Sequence, residues 1–115
     1  MSGVTKNRLV RLFSDGIEDQ RFYGNLGTGF SNTVYVVKSQ YDYKILVGGD
    51  FNDYNSNSVY SLCRLNTDGS LDNTFILPAS TIIDYKVSAI DLLPDGRIVV
   101  GGKFNNSYTN YFNHY

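Results

Sequence analysis

The stretch Ile45-Leu46-Val47-Gly48-Gly49-Asp50-Phe51-Asn52 returns 53 residues later as Ile98-Val99-Val100-Gly101-Gly102-Lys103-Phe104-Asn105. The same offset, with no gap, carries Arg11-Leu12-Phe13-Ser14-Asp15-Gly16 onto Arg64-Leu65-Asn66-Thr67-Asp68-Gly69, Asp19 and Phe22 onto Asp72 and Phe75, and Val34 onto Val87. Two motifs kept in one register make two tandem copies of a single unit. A period of about 50 residues is a mark of propellers and related arrays. The copies divide one repeat domain, residues 1–115, into 11–63 and 64–115, with 1–10 reading as the end strand of a preceding unit.

Each unit reads as a short antiparallel series. Val34 to Val37 and Val87 to Ile90 are predicted as first strands, and Lys44 to Gly48 and Arg97 to Gly101 as second strands. The second strands are apolar on consecutive residues, which suits a strand covered on both faces. Val59 to Leu65 is predicted as a third strand, with Val59, Cys63 and Leu65 on one face because strand side chains alternate. A short fourth strand is expected around Thr74 to Leu77. Asp95-Gly96 between two apolar runs signals a two-residue hairpin, and Asp15-Gly16 and Asp68-Gly69 mark the next turn in each unit. Tyr43 stands where Gly96 does, so the first unit's hairpin is expected to be longer or differently shaped.

Composition agrees. Glu18 is the single glutamate and Ala and Met are scarce, whereas Tyr, Asn, Asp, Ser and Gly abound, so strand and turn formers replace helix formers. The predicted fold class is all-β: two four-stranded antiparallel units of β-propeller-blade type, with no helix longer than about two turns. A net charge of −1 lacks the positive field that nucleic acid or an anionic membrane requires. No 18-residue apolar run suits a spanning helix, and Met1 to Leu12 lacks the apolar segment of a signal peptide. Cys63 is the sole cysteine, which excludes an intrachain disulfide and a cysteine metal cluster.

The run Arg64-Leu65-Asn66-x-Asp68-Gly69-Ser70-Leu71-Asp72-x-x-Phe75, followed by Pro94-Asp95-Gly96-Arg97-Ile98-x-Val100-Gly101-Gly102-x-Phe104, resembles the delta-60 repeat of β-propeller proteins. The first unit matches less fully, lacking the Pro and Gly of the hairpin. The resemblance implies propeller-type blades and no particular activity. Similar repeats occur in large secreted bacterial proteins and in phage structural proteins, usually in longer arrays.

A propeller closes with roughly four to eight blades, and stacked repeats need about three units for stability. Two units therefore imply a fragment or an assembly of copies. The expected partner is the chain itself, as a homo-oligomer, with a trimer of six blades as the first choice. Leu9-Val10-Arg11-Leu12 aligns with Leu62-Cys63-Arg64-Leu65, so an N-terminal strand, Asn7 to Leu12, is expected to join the last blade, in its own or another copy. Phe112 to Tyr115 align with Val59 to Leu62 and compete for the start of that place.

The residues that could carry chemistry read as scaffold. Asn66-x-Asp68-Gly69-x-x-Asp72 lacks the distal glutamate and further oxygens of a calcium loop and reads as a turn. Gly48-Gly49 and Gly101-Gly102 lack the Lys-Ser/Thr and helix of a phosphate cradle and mark a bulge or close backbone approach, so Gly101→Val is expected to destabilise. His114 reads as a tail residue and Cys63 as a small buried apolar group. Asp15, Asp19, Asp68 and Asp72 recur between units, as turn caps do. No nucleophile–base pair can be assembled, so neither catalytic residues nor cofactor or metal ligands are assigned. The structural turn positions are Asp15, Gly16, Gly48, Gly49, Asp68, Gly69, Asp95, Gly96, Gly101 and Gly102. Tyr41, Tyr43, Tyr54, Tyr60, Tyr108, Tyr111 and Tyr115 read as a contact surface, since tyrosine is enriched at interfaces and can stack on sugars.

The expected function is that of a non-catalytic structural protein acting through protein–protein contacts, located in a phage virion on capsid or tail. The alternative is an extracellular glycan- or ligand-binding propeller module of a larger adhesin.

Overall fold

A computed structural model describes residues 9–76 and 86–103. The fold is mostly β. Val34–Ser39 (β1) and Ile45–Gly49 (β2) form an antiparallel hairpin, with Val37 opposite Val47 and Ser39 opposite Ile45. Asp53–Tyr54 (β3) and Asn57–Ser58 (β4) make a small separate hairpin. Leu62–Leu65 (β5) then pairs with the outer edge of β2, giving a sheet ordered β1-β2-β5. In the second unit Lys86–Leu92 (β6) and Ile98–Lys103 (β7) repeat the β1–β2 hairpin. Among the described residues the main sheets of the two units thus hold three strands and two, fewer than the four expected of each blade, with β3 and β4 standing apart.

Two expectations fail for local reasons. The third strand begins at Leu62, not Val59, because Ser61 takes a φ of +68° and turns the chain out of the sheet. No strand forms at Thr74 to Ile76; Leu77 lies outside the described residues. There the Asp72 carboxylate accepts bonds from the Thr74 amide (2.9 Å) and hydroxyl (2.6 Å), holding a turn. The corresponding stretch of the first unit is a six-residue helix, Gln20–Asn25 (α1). Asp19 caps α1 by accepting from the Arg21 and Phe22 amides, and the helix holds because Phe22 and, just past its end, Leu26 are fully buried.

The four Asp turns share one geometry. In each, an amide and carbonyl four residues apart are bonded, as Phe13 to Ile17 (2.8 Å), Gln40 to Lys44 (2.8 Å), Asn66 to Ser70 (2.7 Å) and Leu93 to Arg97 (2.9 Å). The fourth residue donates back to the first, and the Asp carboxylate accepts the amide two residues on. Only that fourth residue has positive φ: Gly16, Gly69 and Gly96 at +91°, +96° and +93°, and Tyr43 at +70°. These are three-residue loops closed by a left-handed residue, not the two-residue hairpin expected at Asp95-Gly96. Nor is the first unit's hairpin differently shaped. Tyr43 adopts the left-handed conformation in place of a glycine, with its side chain in solvent.

Two clusters form the core. Phe22, Leu26, Phe30, Val47, Phe51, Tyr54, Cys63 and Leu65 fill one face of the β1-β2-β5 sheet. The other face packs on the β6-β7 hairpin, joining Leu46 and Leu62 to Val87, Ile90, Ile98 and Val100. This second cluster holds the two units together, with Leu46 and Val87 completely buried.

Candidate assembly surface

Both glycine pairs sit opposite a bulge. The register of β1 on β2 shifts between Val34 and Val36, facing Gly49 and Gly48, and that of β6 on β7 shifts between Val87 and Ala89, facing Gly102 and Gly101. A Cβ on Gly49 would overlap the Thr33 carbonyl oxygen, and one on Gly102 the Lys86 carbonyl oxygen. At Gly48 it would meet Val87 Cγ1 of the second unit at 2.6 Å. Gly101 is the exception: its Cβ would meet only Ala89 Cβ, at an ordinary 3.8 Å, so the expected cost of Gly101→Val belongs to Gly102.

The repeated Arg, Asp and Phe come together as a motif that sequence spacing alone did not assign a role. Arg64 bonds Asp72 at 2.9 Å and its guanidinium lies 4.8 Å from the Phe75 ring centroid. Arg11 does the same with Asp19 (2.9 Å) and Phe22 (4.3 Å). Asp72 also receives Lys44 Nζ at 2.9 Å. The Thr74 hydroxyl first, then Lys44, outweigh the burial that opposes charge and hold the Asp72 carboxyl far below the usual range. For Asp19, burial opposes ionisation most, but the Arg11 bond and the Phe22 and Arg21 amides together keep its carboxyl below the ordinary value. Asp68 is lowered by the Ser70 hydroxyl and amide, and Asp95 by the Arg97 amide, with burial opposing both. These carboxylates are engaged in scaffolding the turns and the sheet edge.

Cys63 is buried, and that burial pushes its thiol up, away from the reactive thiolate. Tyr54 does not belong to a contact surface. It is fully buried, packed against Phe30 with ring centroids 4.6 Å apart and tilted by 38°, with its hydroxyl donating to the Gly69 carbonyl at 2.6 Å. Burial raises its phenol accordingly. Its place two residues past Asn52, in a polar loop, hid a core anchor that only the β3–β4 hairpin turns inward. Tyr41, Tyr43 and Tyr60 are exposed; Tyr108, Tyr111, Tyr115, His114 and the Phe112 to Tyr115 stretch lie outside the described residues.

Several exposed apolar side chains have buried repeat counterparts. Val10, Leu12 and Phe13 stand out on the N-terminal hairpin, Val37 on β1 and Val99 on β7. Their repeat counterparts with apolar side chains, Cys63, Leu65, Ile90 and Leu46, are all buried. Equivalent positions thus differ only in whether a neighbouring strand or sheet covers them.

A family model described as a β-propeller domain of unknown function, DUF5122, matches residues 40–75 and 93–113. The two matches start at Gln40 and Leu93, the first residues of the paired hairpin loops, 53 residues apart. No curated protein and no solved structure matches the chain. With the gapless repeat, the shared hairpin geometry and the stacked units, this match supports a β-propeller repeat family for the chain.

Proposed function

We propose that the chain is a non-catalytic structural protein whose units, of the delta-60 type, combine with those of other copies into one propeller of four-stranded blades. The observation that carries this reading is the unequal burial of repeat-equivalent apolar residues. Where the second unit stacks on the first, Ile90 and Leu46 are buried; where no further unit stacks, Val37 and Val99 are exposed. The two lie on opposite outer flanks of the stacked sheets, and uncovered apolar positions of that kind mark contact sites. The engagement of Asp19, Asp68, Asp72 and Asp95 in turns and ion pairs supports a scaffold over a hydrolase. A virion component on a phage capsid or tail is the setting that suits such a building block. Native mass spectrometry at micromolar concentration tests the assembly. A trimer is the expected result, a dimer or tetramer would revise the stoichiometry, and a folded monomer would overturn the reading.

A second reading has one specific observation in its favour. Exposed Tyr41 borders a shallow groove of about 180 Å³ with Gln40, Asp42, Leu92 and Gly96. An aromatic face beside amide and carboxylate groups suits a glycan. Binding on a glycan array that disappears with Tyr41→Ala would favour this module reading.

A further inference from the structure

The repeat makes a specific demand on the outer edge of β7. In the first unit that edge of β2 holds β5, with Ile45 opposite Leu65, Leu46 opposite Arg64, Val47 opposite Cys63 and Gly48 opposite Leu62. Among the described residues, β7 pairs only with β6. A bare edge presents a row of unpaired amides and carbonyls and templates strand addition.

A segment with the β5 pattern already exists in the β5-like shape. Leu9-Val10-Arg11-Leu12 matches Leu62-Cys63-Arg64-Leu65. Leu12 bridges Glu18 as Leu65 bridges Leu71, and the Asp19 amide donates to the Arg11 carbonyl as that of Asp72 donates to Arg64. What differs is cover. Val10 is 49% exposed where Cys63 is 3%, and Leu12 is 55% exposed where Leu65 is 0%. Charge shows the same gap. Asp72 takes both Arg64 and Lys44, whereas Asp19 takes Arg11 alone among the described residues. The repeat counterpart of Lys44 is Arg97, which pairs with Asp95 inside its own exposed turn.

We propose that the Leu9–Leu12 segment of a second copy adds to the outer edge of β7 as its third strand. The register places Ile98 opposite Leu12, Val99 opposite Arg11, Val100 opposite Val10 and Gly101 opposite Leu9 of that copy. Arg97 then reaches Asp19 of the second copy, as Lys44 reaches Asp72. The addition is head-to-tail, so it closes a ring when the rotation per copy permits. It rests on the assembly reading above and goes further by naming the strand, the register and the ion pair.

The test mixes full-length Val10→Cys protein with full-length Val100→Cys protein and oxidises the mixture with diamide; Arg11→Cys with Val99→Cys is a second in-register pair. Val10→Cys with Val99→Cys, on opposite faces, is the control, and the protein carrying only Cys63 sets the background. Disulfides require Cα atoms within about 7 Å, so each in-register mixture should yield about tenfold more covalent dimer than the control. Equal cross-linking in the control would overturn the register. Absence of cross-linking in both in-register pairs, in samples that light scattering shows to be assembled, would overturn strand addition and leave the assembly intact. A folded monomer by light scattering would overturn both. Arg97→Glu should weaken association about tenfold, the scale of a partly screened ion pair; unchanged association would remove the ion pair from the proposal.

Discussion

Val37 and Ile90 occupy the same place in the same strand of the two units, yet one is half exposed and the other is buried. The hairpins that carry them have matching registers, matching bulges and matching loops. Local structure is therefore equal, and the difference lies in what stacks on each. The second unit has the first unit's Leu46 and Leu62 against it; the first unit's corresponding face has the α1 segment and residues near it. A repeat protein distributes its stability in this way, as intrinsic unit terms plus neighbour interfaces.

The sharpest way to break the equivalence is at the glycine pairs. Gly102→Val should cost about 3 kcal/mol or prevent folding, because the Lys86 carbonyl cannot yield without breaking the strand pairing. Gly101→Ala should leave the unfolding midpoint nearly unchanged. Equal losses in denaturant titrations would show that the bulge does not discriminate between them.

The interface term is measured by truncating the two equivalent strand residues. Ile90→Ala should cost about 3 kcal/mol by emptying part of the inter-unit core. Val37→Ala should cost little in dilute protein, with a loss that grows as concentration rises, since binding linkage stabilises only the assembled form. A concentration-independent result for Val37→Ala would deny that its face is an interface.

Ion pairing gives a smaller contrast. Asp72→Asn should cost about 2 kcal/mol, reduced from the fully buried case because Lys44 and Arg64 are partly exposed. Asp19→Asn should cost less, having one cationic partner among the described residues instead of two. Because folding lowers the pKa of Asp72, its contribution is complete above about pH 4 and is lost as pH falls toward the folded-state value. Acid unfolding should therefore shift less steeply in Asp72→Asn than in the parent, as read by fluorescence against pH. A parallel shift in both proteins would assign the acid sensitivity elsewhere.

The smallest effect is expected at the hairpin tips. Tyr43→Gly should stabilise by about 0.5–1 kcal/mol by relieving a left-handed tyrosine, net of the entropy a glycine adds to the unfolded chain. Gly96→Tyr should destabilise by a similar amount. Thermal denaturation of the two variants checks whether one loop geometry serves both units.

The fold was legible in the sequence where it depends on nearest neighbours along the chain. Repeat spacing, apolar runs and Asp-Gly pairs locate the hairpins because strand pairing and turn chemistry are local and recur wherever the residues recur. What local pattern missed is instructive. Tyr43 takes the glycine's conformation because pairing of β1 with β2 and the Asp42 carboxylate over-determine the loop. Tyr54 looks like a loop residue until the β3–β4 hairpin turns it under Gly69. Asp19 and Asp72 are equivalent in sequence, yet one caps a helix and the other a turn; Phe22 after the first is fully buried, whereas its counterpart Phe75 is partly buried.

Residue order along the chain was enough to establish the repeat, the strand hairpins and the recurrence of Arg, Asp and Phe at one spacing. Tertiary structure alone decided which copy of each repeated position is covered, which one of the four paired glycines has room for a side chain, and which carboxylate gathers two cations. The physical reason is that burial and ion pairing depend on residues brought close from other units, and identical local sequence carries no record of which neighbour is present.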